Sequence, residues 1–341
     1  MQVAGQKITG AAMTSDKRNI SATPDETGAI HIALGANSRF APGLLVTAAS
    51  IAAQASGDRL VFHIMDSGLS HRDRDDLKSV LSDIRPNAQI YYLKIDTGLF
   101  KGLPPWRGGY SAYERLLLHE ALPDVDYIVY SDVDTYWGRD VAELWAMREP
   151  NHSIWAASDS LDCDRGNAYF CSGVYLMNLQ RLREIGFTAK MIEYASSHEL
   201  VFPDQDILNA MLGPESVLLS SVWDMQEAAE WNDAFAEPCV IHYTRNKPWL
   251  NSTRSPVNFV TQPWWDFFFQ WIGVQRRPET ADIFKKRRFK AWVYSHPGFL
   301  ALYCRLRRLP TLKRKRLEHL FLSTSLRNRS PFWTKPSPPN R

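Results

Sequence analysis

Two aspartates separated by one residue, at the end of an apolar run, are a ready arrangement for holding a hard cation. Asp132-Val133-Asp134 has that setting, because it directly follows Tyr127-Ile-Val-Tyr-Ser131. Carboxylates at i and i+2 just past a buried strand converge on one ion, and their oxygens suit Mg²⁺ or Mn²⁺, with diphosphate oxygens filling the shell. The D-x-D pattern itself carries little information here, since Asp73/Asp75, Asp124/Asp126, Asp162/Asp164 and Asp204/Asp206 repeat it. Context selects Asp132/Asp134, and the alternative is a solvated turn at a strand end.

His242 closes another short apolar run, Cys239-Val-Ile-His242-Tyr243, and Lys247 follows five residues later. A strand-end imidazole could complete a shell with Asp132 and Asp134, and the lysine could neutralise a diphosphate; a purely structural histidine is the competing reading. Carboxylates at strand ends contribute little to a core, so Asp134→Ala is expected to spare the fold.

The elements that must position these groups follow from periodicity. Ile30–Leu34, Leu60–Met65, Gln89–Ile95 and Tyr127–Tyr130 read as strands, with Ile154–Ser158 and Val174–Leu179 as further candidates. Between them lie a small-residue helix over Pro42 to Ala55, a helix over His71 to Leu81 capped by Ser70, and a helix opening near Ser111. Asp206 is expected to cap a helix over Ile207–Leu212. Strands alternating with helices of this length predict an α/β fold with a mostly parallel sheet, whose ligands bind beyond the carboxyl ends of the strands. Neither a G-x-G-x-x-G nor a G-K-S/T phosphate loop is present.

Taken in order, the motifs are Tyr113-x-Arg115, Asp132-Val-Asp134, Ala157-Ser-Asp159, Tyr169-Phe-x-x-Gly173, Asp204-Gln-Asp-Ile-Leu-Asn209 and His242-Tyr-x5-Trp249 with an internal Lys-Pro. That series, from about Ile30 to Trp249, resembles glycosyltransferase family 8, retaining enzymes that include glycogenin and bacterial lipopolysaccharide galactosyl- and glucosyltransferases. The resemblance implies a GT-A fold with a Rossmann-like nucleotide-binding half. It implies Mn²⁺, or Mg²⁺, held by Asp132, Asp134 and His242 on the diphosphate of a UDP-sugar. Asn37, Arg115, Val133 and Lys247 would belong to the nucleotide set, with Ala36–Phe40 cradling the uridine. Asp159 and Asp204 would bond donor-sugar hydroxyls, and Gln205 would lie near the anomeric carbon, opposite the leaving group. The reaction implied is transfer of galactose or glucose to a glycan or lipid-linked saccharide, in lipopolysaccharide or surface polysaccharide synthesis.

The chain departs from the family pattern in four places. Asn37 stands for the usual Asp, Arg39 for Asn, Cys171 for Asn and Arg245 for Gly. Asn37 keeps a carbonyl oxygen able to accept the uracil imide N–H, whereas Cys171 cannot replace an amide. A catalytically silent sugar-nucleotide or glycan-binding protein on the same fold is the alternative these changes raise. A two-metal phosphohydrolase would need more His or Asp ligands at strand ends than the chain offers.

The 341 residues carry a net charge of +3, but residues 281–341 hold 16 Lys and Arg against Asp282 and Glu318. The tail is therefore +14 and the rest of the chain acidic, which assigns them different partners. Aromatic residues between the basic clusters suit an anionic membrane surface rather than nucleic acid, for which no fold signature is present. The expected organisation is a flexible lead over 1–28, a catalytic domain over 29–275, a basic helical tail over 276–329 that attaches to the membrane, and a disordered end over 330–341. With no apolar stretch long enough for a transmembrane helix or signal peptide, the protein is expected to be cytoplasmic and peripheral on the inner face of the membrane. Four cysteines without a C-x-x-C pair fit a reducing compartment.

Overall fold

The computed structural model describes residues 28–57, 59–106, 109–159, 169–226, 240–244, 247–250, 261–280 and 282–284. All but Gly28 of the expected lead, the disordered end and nearly all of the basic tail lie outside them, as does Arg245.

Strand β1 (Ala29–Ala36) is buried along almost its whole length, as a strand covered on both faces must be. It pairs in parallel with β2 (Arg59–Asp66), which pairs in parallel with β3 (Gln89–Leu93); on its other side β1 pairs in parallel with β4 (Tyr127–Ser131). β6 (Ile154–Ser158) and β8 (Ser216–Leu219) are also mutually parallel, while β7 (Phe170–Asn178) runs antiparallel between β4 and β6. The sheet order is β3-β2-β1-β4-β7-β6-β8, the mostly parallel α/β sheet expected. The chain winds outward from β1 through β2 to β3 and returns to β1's other edge with β4. That reversal opens a crevice at the carboxyl ends of β1 and β4, the usual ligand position in such sheets.

β7 starts at Phe170, four residues before the expected Val174, because Ser158 of β6 already pairs with Phe170. The expected helix near Ser111 opens as a 3₁₀ turn over Ser111–Leu117 and becomes α only over Leu118–Ala121. The helix at Asp206 begins earlier than expected, at Pro203, and runs to Leu212. Asp206 sits inside its first turn, and its Oδ2 accepts from the N–H groups of Val201 and Phe202.

A second sheet is built from very short strands: β5 (Thr135–Trp137), β10 (Val240–His242) and β9 (Met225–Gln226), in the order β5-β10-β9. Its register sets His242 opposite Thr135 on one side and Gln226 on the other. The helix α1 (Ala41–Gln54), buried through most of its length, packs against β5. Its small residues allow that approach. Thr47 Oγ1 donates to the carbonyl of Thr135 at 2.8 Å and lies 3.1 Å from that of Val133. A Cβ on Gly43 would stand 2.4 Å from Val133 O and 2.5 Å from Trp249. Trp249 in turn stacks on Trp264 and meets Phe40 edge-on, so the loop after β10 is fixed by aromatic packing.

Away from the crevice, His31 Nδ1 and His63 Nε2 lie 2.9 Å apart across β1 and β2. Burial, with Arg59, pushes His31 down to about 4, and burial with His31 pushes His63 to about 3. Both are neutral in the fold but charge near 6.5 when unfolded, so the unfolded chain binds more protons as pH falls below 6.5. Stability is therefore full above 6.5 and declines toward pH 4, by roughly 2–3 kcal/mol at pH 4.5 for His31 alone. His119, pushed down to about 4 by burial, adds to the same window. Thermal unfolding at pH 7 and 4.5 checks this: His63→Leu should show a smaller drop than the native chain, and an equal drop would contradict it.

Candidate functional site

The crevice gathers carboxylates because the parallel strands β4 and β6 both end there. Asp132 and Asp134 follow β4, Asp159 follows β6, and β7 enters from the same edge with Cys171, Ser172 and Gly173. Asp132 N–H donates to Gly173 O at 2.7 Å, which locks the start of the aspartate loop to β7. From the other side, Tyr243 N–H donates to Asp134 O at 2.8 Å, which carries β10 and its histidine to the same loop.

His242 Nε2 lies 3.3 Å from Asp134 Oδ1 and 3.7 Å from Asp132 Oδ2. The ligand atoms of all three residues fall within 4.8 Å of one another. Two carboxylates and an imidazole make a mixed oxygen–nitrogen donor set suited to Mn²⁺. Asp224 Oδ1 sits 2.9 Å from His242 Nδ1, the buried carboxylate behind a histidine that orients metal-ligating imidazoles. The residues therefore fit a divalent cation.

Charge at the site is heavily compensated. Burial alone would raise the Asp134 carboxyl, but Lys247 and His242 beside it hold it well below the usual carboxylate range. Burial would lower His242, yet Asp224 and Asp134 hold it well above the usual histidine range. An incoming cation must displace that imidazolium proton, since only the neutral ring can be a ligand. Lys247 contacts Asp134 Oδ2 and donates to the carbonyls of Tyr243 at 2.7 Å and Thr244 at 2.9 Å.

Arg115 forms the second cationic centre. It donates to Asp132 Oδ1 at 2.8 Å and to Ser172 O at 2.6 Å, and its Nε is 3.3 Å from Asp204 Oδ2. Its guanidinium lies over the Tyr130 ring, 4.4 Å from the centroid, while Tyr130 OH donates to Asp132 Oδ1 at 2.6 Å. Asp204 is raised by burial, an effect that Arg115 opposes.

Gln205 is held at both ends of its amide. Oε1 accepts from Ser172 N–H at 2.9 Å, and Nε2 donates to Asp159 Oδ2 at 2.8 Å. Asp159 Oδ1 accepts from Gln226 Nε2 at 3.0 Å. Ser172 thus connects Arg115, Asp204 and Gln205, so the two groups of residues form one polar network.

The structure brings together Asp132, Asp134, Asp159, Asp204, Gln205, Arg115, His242 and Lys247. Asn37 stands apart in the loop after β1, where its Oδ1 accepts from Arg39 N–H at 3.0 Å and caps a short turn. A carbonyl oxygen has a second lone pair, so this bond leaves it an acceptor. Val133 is 5% exposed and joins the apolar core between the two aspartates. Asp224, Ser172, Tyr130 and Gln226 were not singled out from the sequence. Tyr130 alone left a signal, as a polar-tipped aromatic two residues before Asp132; Asp224 and Gln226 lie in a stretch with no periodicity to read.

Comparison with known proteins gives a consistent answer. A family model described as Glycosyl transferase family 8 matches residues 31–253, a span containing every residue of the network. General stress protein A of Bacillus subtilis is 22% identical over 258 residues, 67% of this chain and 90% of that protein. A lipopolysaccharide 1,2-glucosyltransferase of Escherichia coli is 24% identical over 273 residues, 74% and 77% of the two chains. Among solved structures, the galactosyltransferase LgtC in complex with donor and acceptor sugar analogues has a TM-score of 0.61 at 21% identity, over 73% of this chain and 100% of that one. The apo bifunctional glycosyltransferase WbbM has a TM-score of 0.62 at 18% identity; the match covers 78% of this chain and 53% of that one, so this chain spans about half its length. The fold is therefore the GT-A fold expected.

Proposed function

Since the chain belongs to glycosyltransferase family 8, we propose that it is a retaining, Mn²⁺-dependent hexosyltransferase that moves galactose or glucose from a UDP-sugar to a glycan or lipid-linked saccharide hydroxyl. The observation that carries this reading is the convergence of Asp132, Asp134 and His242 at the carboxyl end of β4, flanked by Arg115 and Lys247. Its setting would be lipopolysaccharide or surface polysaccharide synthesis, which the likeness to the Escherichia coli glucosyltransferase supports.

Asp132, Asp134 and His242 would hold the cation, which when bound offsets charge growing on the departing diphosphate. Arg115 and Lys247 add fixed positive charge at the same place, already oriented by Ser172 and by the Tyr243 and Thr244 carbonyls. Groups held in advance need no reorganisation as charge develops, which is the main source of electrostatic catalysis. Asp159 and Asp204 would bond hydroxyls of the donor sugar, and Gln205, fixed at both ends of its amide, would stand at the anomeric carbon. An amide is a poor nucleophile, so front-face attack by the acceptor is favoured over a double displacement, with the leaving phosphate taking the acceptor proton. The expected product keeps the donor's α configuration. An NMR coupling constant showing a β-linked product would remove the retaining reading.

Residues 29–275 would form the catalytic domain, and the +14 segment would hold the protein on an anionic membrane at its cytoplasmic face, at about 1 kcal/mol for each Lys or Arg reaching the surface. No helix among the described residues is long and apolar enough to cross a membrane. Full-length protein should sediment with anionic vesicles more than with neutral ones, and a chain truncated near Ala281 should not. Equal sedimentation of the two forms would show that the tail is not the anchor.

A further inference from the structure

His242 also belongs to a second group of ligand atoms, different in kind from the aspartate pair. Cys171 Sγ, an Asp224 carboxylate oxygen and a His242 nitrogen fall within 4.8 Å of one another. The three residues are 5%, 2% and 4% exposed, and Cys171 is a free cysteine. Asp224 commits Oδ1 to His242 Nδ1, while its Oδ2 is buried without a hydrogen-bond partner. A carboxylate oxygen removed from water and left unpaired is costly, and a cation is one of the few groups able to satisfy it there. None of the chemistry proposed above uses Cys171.

We propose that Cys171, Asp224 and His242 Nδ1 form a binding site for a thiophilic divalent cation, Zn²⁺ foremost, which competes with the aspartate site through their shared histidine. A sulfur, nitrogen and oxygen set selects Zn²⁺, whereas Mn²⁺ prefers the oxygen-rich aspartate site. The charges agree: a thiolate and a carboxylate neutralise the dication, and the imidazole contributes as a neutral ligand. On binding, the Zn–S and Zn–N bonds form as the thiol proton and the Nδ1 proton leave to the buffer, so no oxidant or reductant is needed. A neutral imidazole has only one lone pair for a metal, and serving both sites would require the far less accessible imidazolate. Zn²⁺ at Nδ1 leaves the hydrogen on Nε2, the atom that faces Asp132 and Asp134. Occupation of one site therefore weakens the other, and the expected consequence is inhibition by Zn²⁺ that added Mn²⁺ relieves.

The first test reads metal binding alone and does not depend on turnover. Metal-stripped full-length protein is titrated with Co²⁺ as a spectroscopic substitute for Zn²⁺. The expected result is a thiolate-to-cobalt charge-transfer band that is displaced by Zn²⁺, is absent in Cys171→Ser and Cys171→Ala, and persists in Asp132→Asn. No band in the native chain would overturn the proposal. So would a band unchanged in both cysteine variants, which would place the sulfur ligand elsewhere. The second arm measures Zn²⁺ inhibition of sugar-nucleotide turnover against each variant's own uninhibited rate. Loss of a direct ligand should weaken inhibition by at least about tenfold in Cys171→Ser, the lower bound seen for outer partners alone. Equal Zn²⁺ sensitivity of native and variant protein, or inhibition that Mn²⁺ does not relieve, would overturn the competition.

Discussion

Asp134→Asn is expected to lower metal-dependent turnover by at least about 100-fold and to destabilise the protein as well. Removing an outer partner of a metal ligand typically costs 10–100-fold, and Asp134 would be a direct ligand. The second effect runs against the expectation that Asp134→Ala spares the fold, because the carboxylate is buried and ion-paired. Asp134 is 7% exposed and lies between Lys247 and His242, the latter held in its charged form. Removing the carboxylate takes its charge from the buried Lys247 ammonium and leaves His242 with Asp224 alone, and breaking such a buried pair costs about 3–5 kcal/mol. Asp132, with a side chain 26% exposed and bonded to Arg115 and Tyr130, is the milder position. Asp132→Asn should therefore lose comparable activity at a smaller loss of stability. Melting temperatures and initial rates of both variants check this; equal destabilisation would show that the buried charge at Asp134 is not what distinguishes them.

Gly173→Ala is the second large effect, and it tests geometry rather than charge. A Cβ there would stand 2.1 Å from His242 Cε1 and 2.4 Å from Nδ1, and 3.1 Å from Asp224 Oδ2. The ring cannot retreat freely, because Asp224 holds one nitrogen and Asp134 faces the other. Gly173 O also accepts from Asp132 N–H, so a shift of β7 would move the aspartate loop. Overpacking of this kind costs about 1–3 kcal/mol, and a misplacement near 1 Å at a catalytic group can cost about 100-fold in rate. Turnover should therefore fall by about that factor while circular dichroism stays native-like. Gly213→Ala is the control, since nothing lies within 4 Å of its added Cβ. Full activity in Gly173→Ala would mean that the position of His242 does not matter.

The parts of the fold that could be read in advance are those whose burial leaves a local pattern. β1, β2 and β4 are covered on both faces and appear as apolar runs, and Ser70 announces α2 (His71–Ile84) through a complete capping box with Asp73. Asp132 and Asp134 could be selected because a buried strand leads into them. Tyr113 and Phe170, the aromatics of two of the motifs, are fully buried and pack in the core. The second sheet was hard to read because strands of two or three residues have no period, and β5 meets β10 across about a hundred residues. Asp224 was missed for that reason, since only the β9–β10 pairing brings it behind His242. Lys247 was recognised by its spacing from His242, but spacing could not show that its ammonium is tied to Asp134 and two carbonyls.

The account rests on a divalent cation held by Asp132, Asp134 and His242 acting on a sugar nucleotide, and UDP release from UDP-galactose and UDP-glucose tests that most directly. Metal-stripped protein should release no UDP in excess EDTA and should regain turnover with Mn²⁺ on at least one of the two donors. Full turnover in excess EDTA, or no release from either donor with Mn²⁺ present, would contradict it.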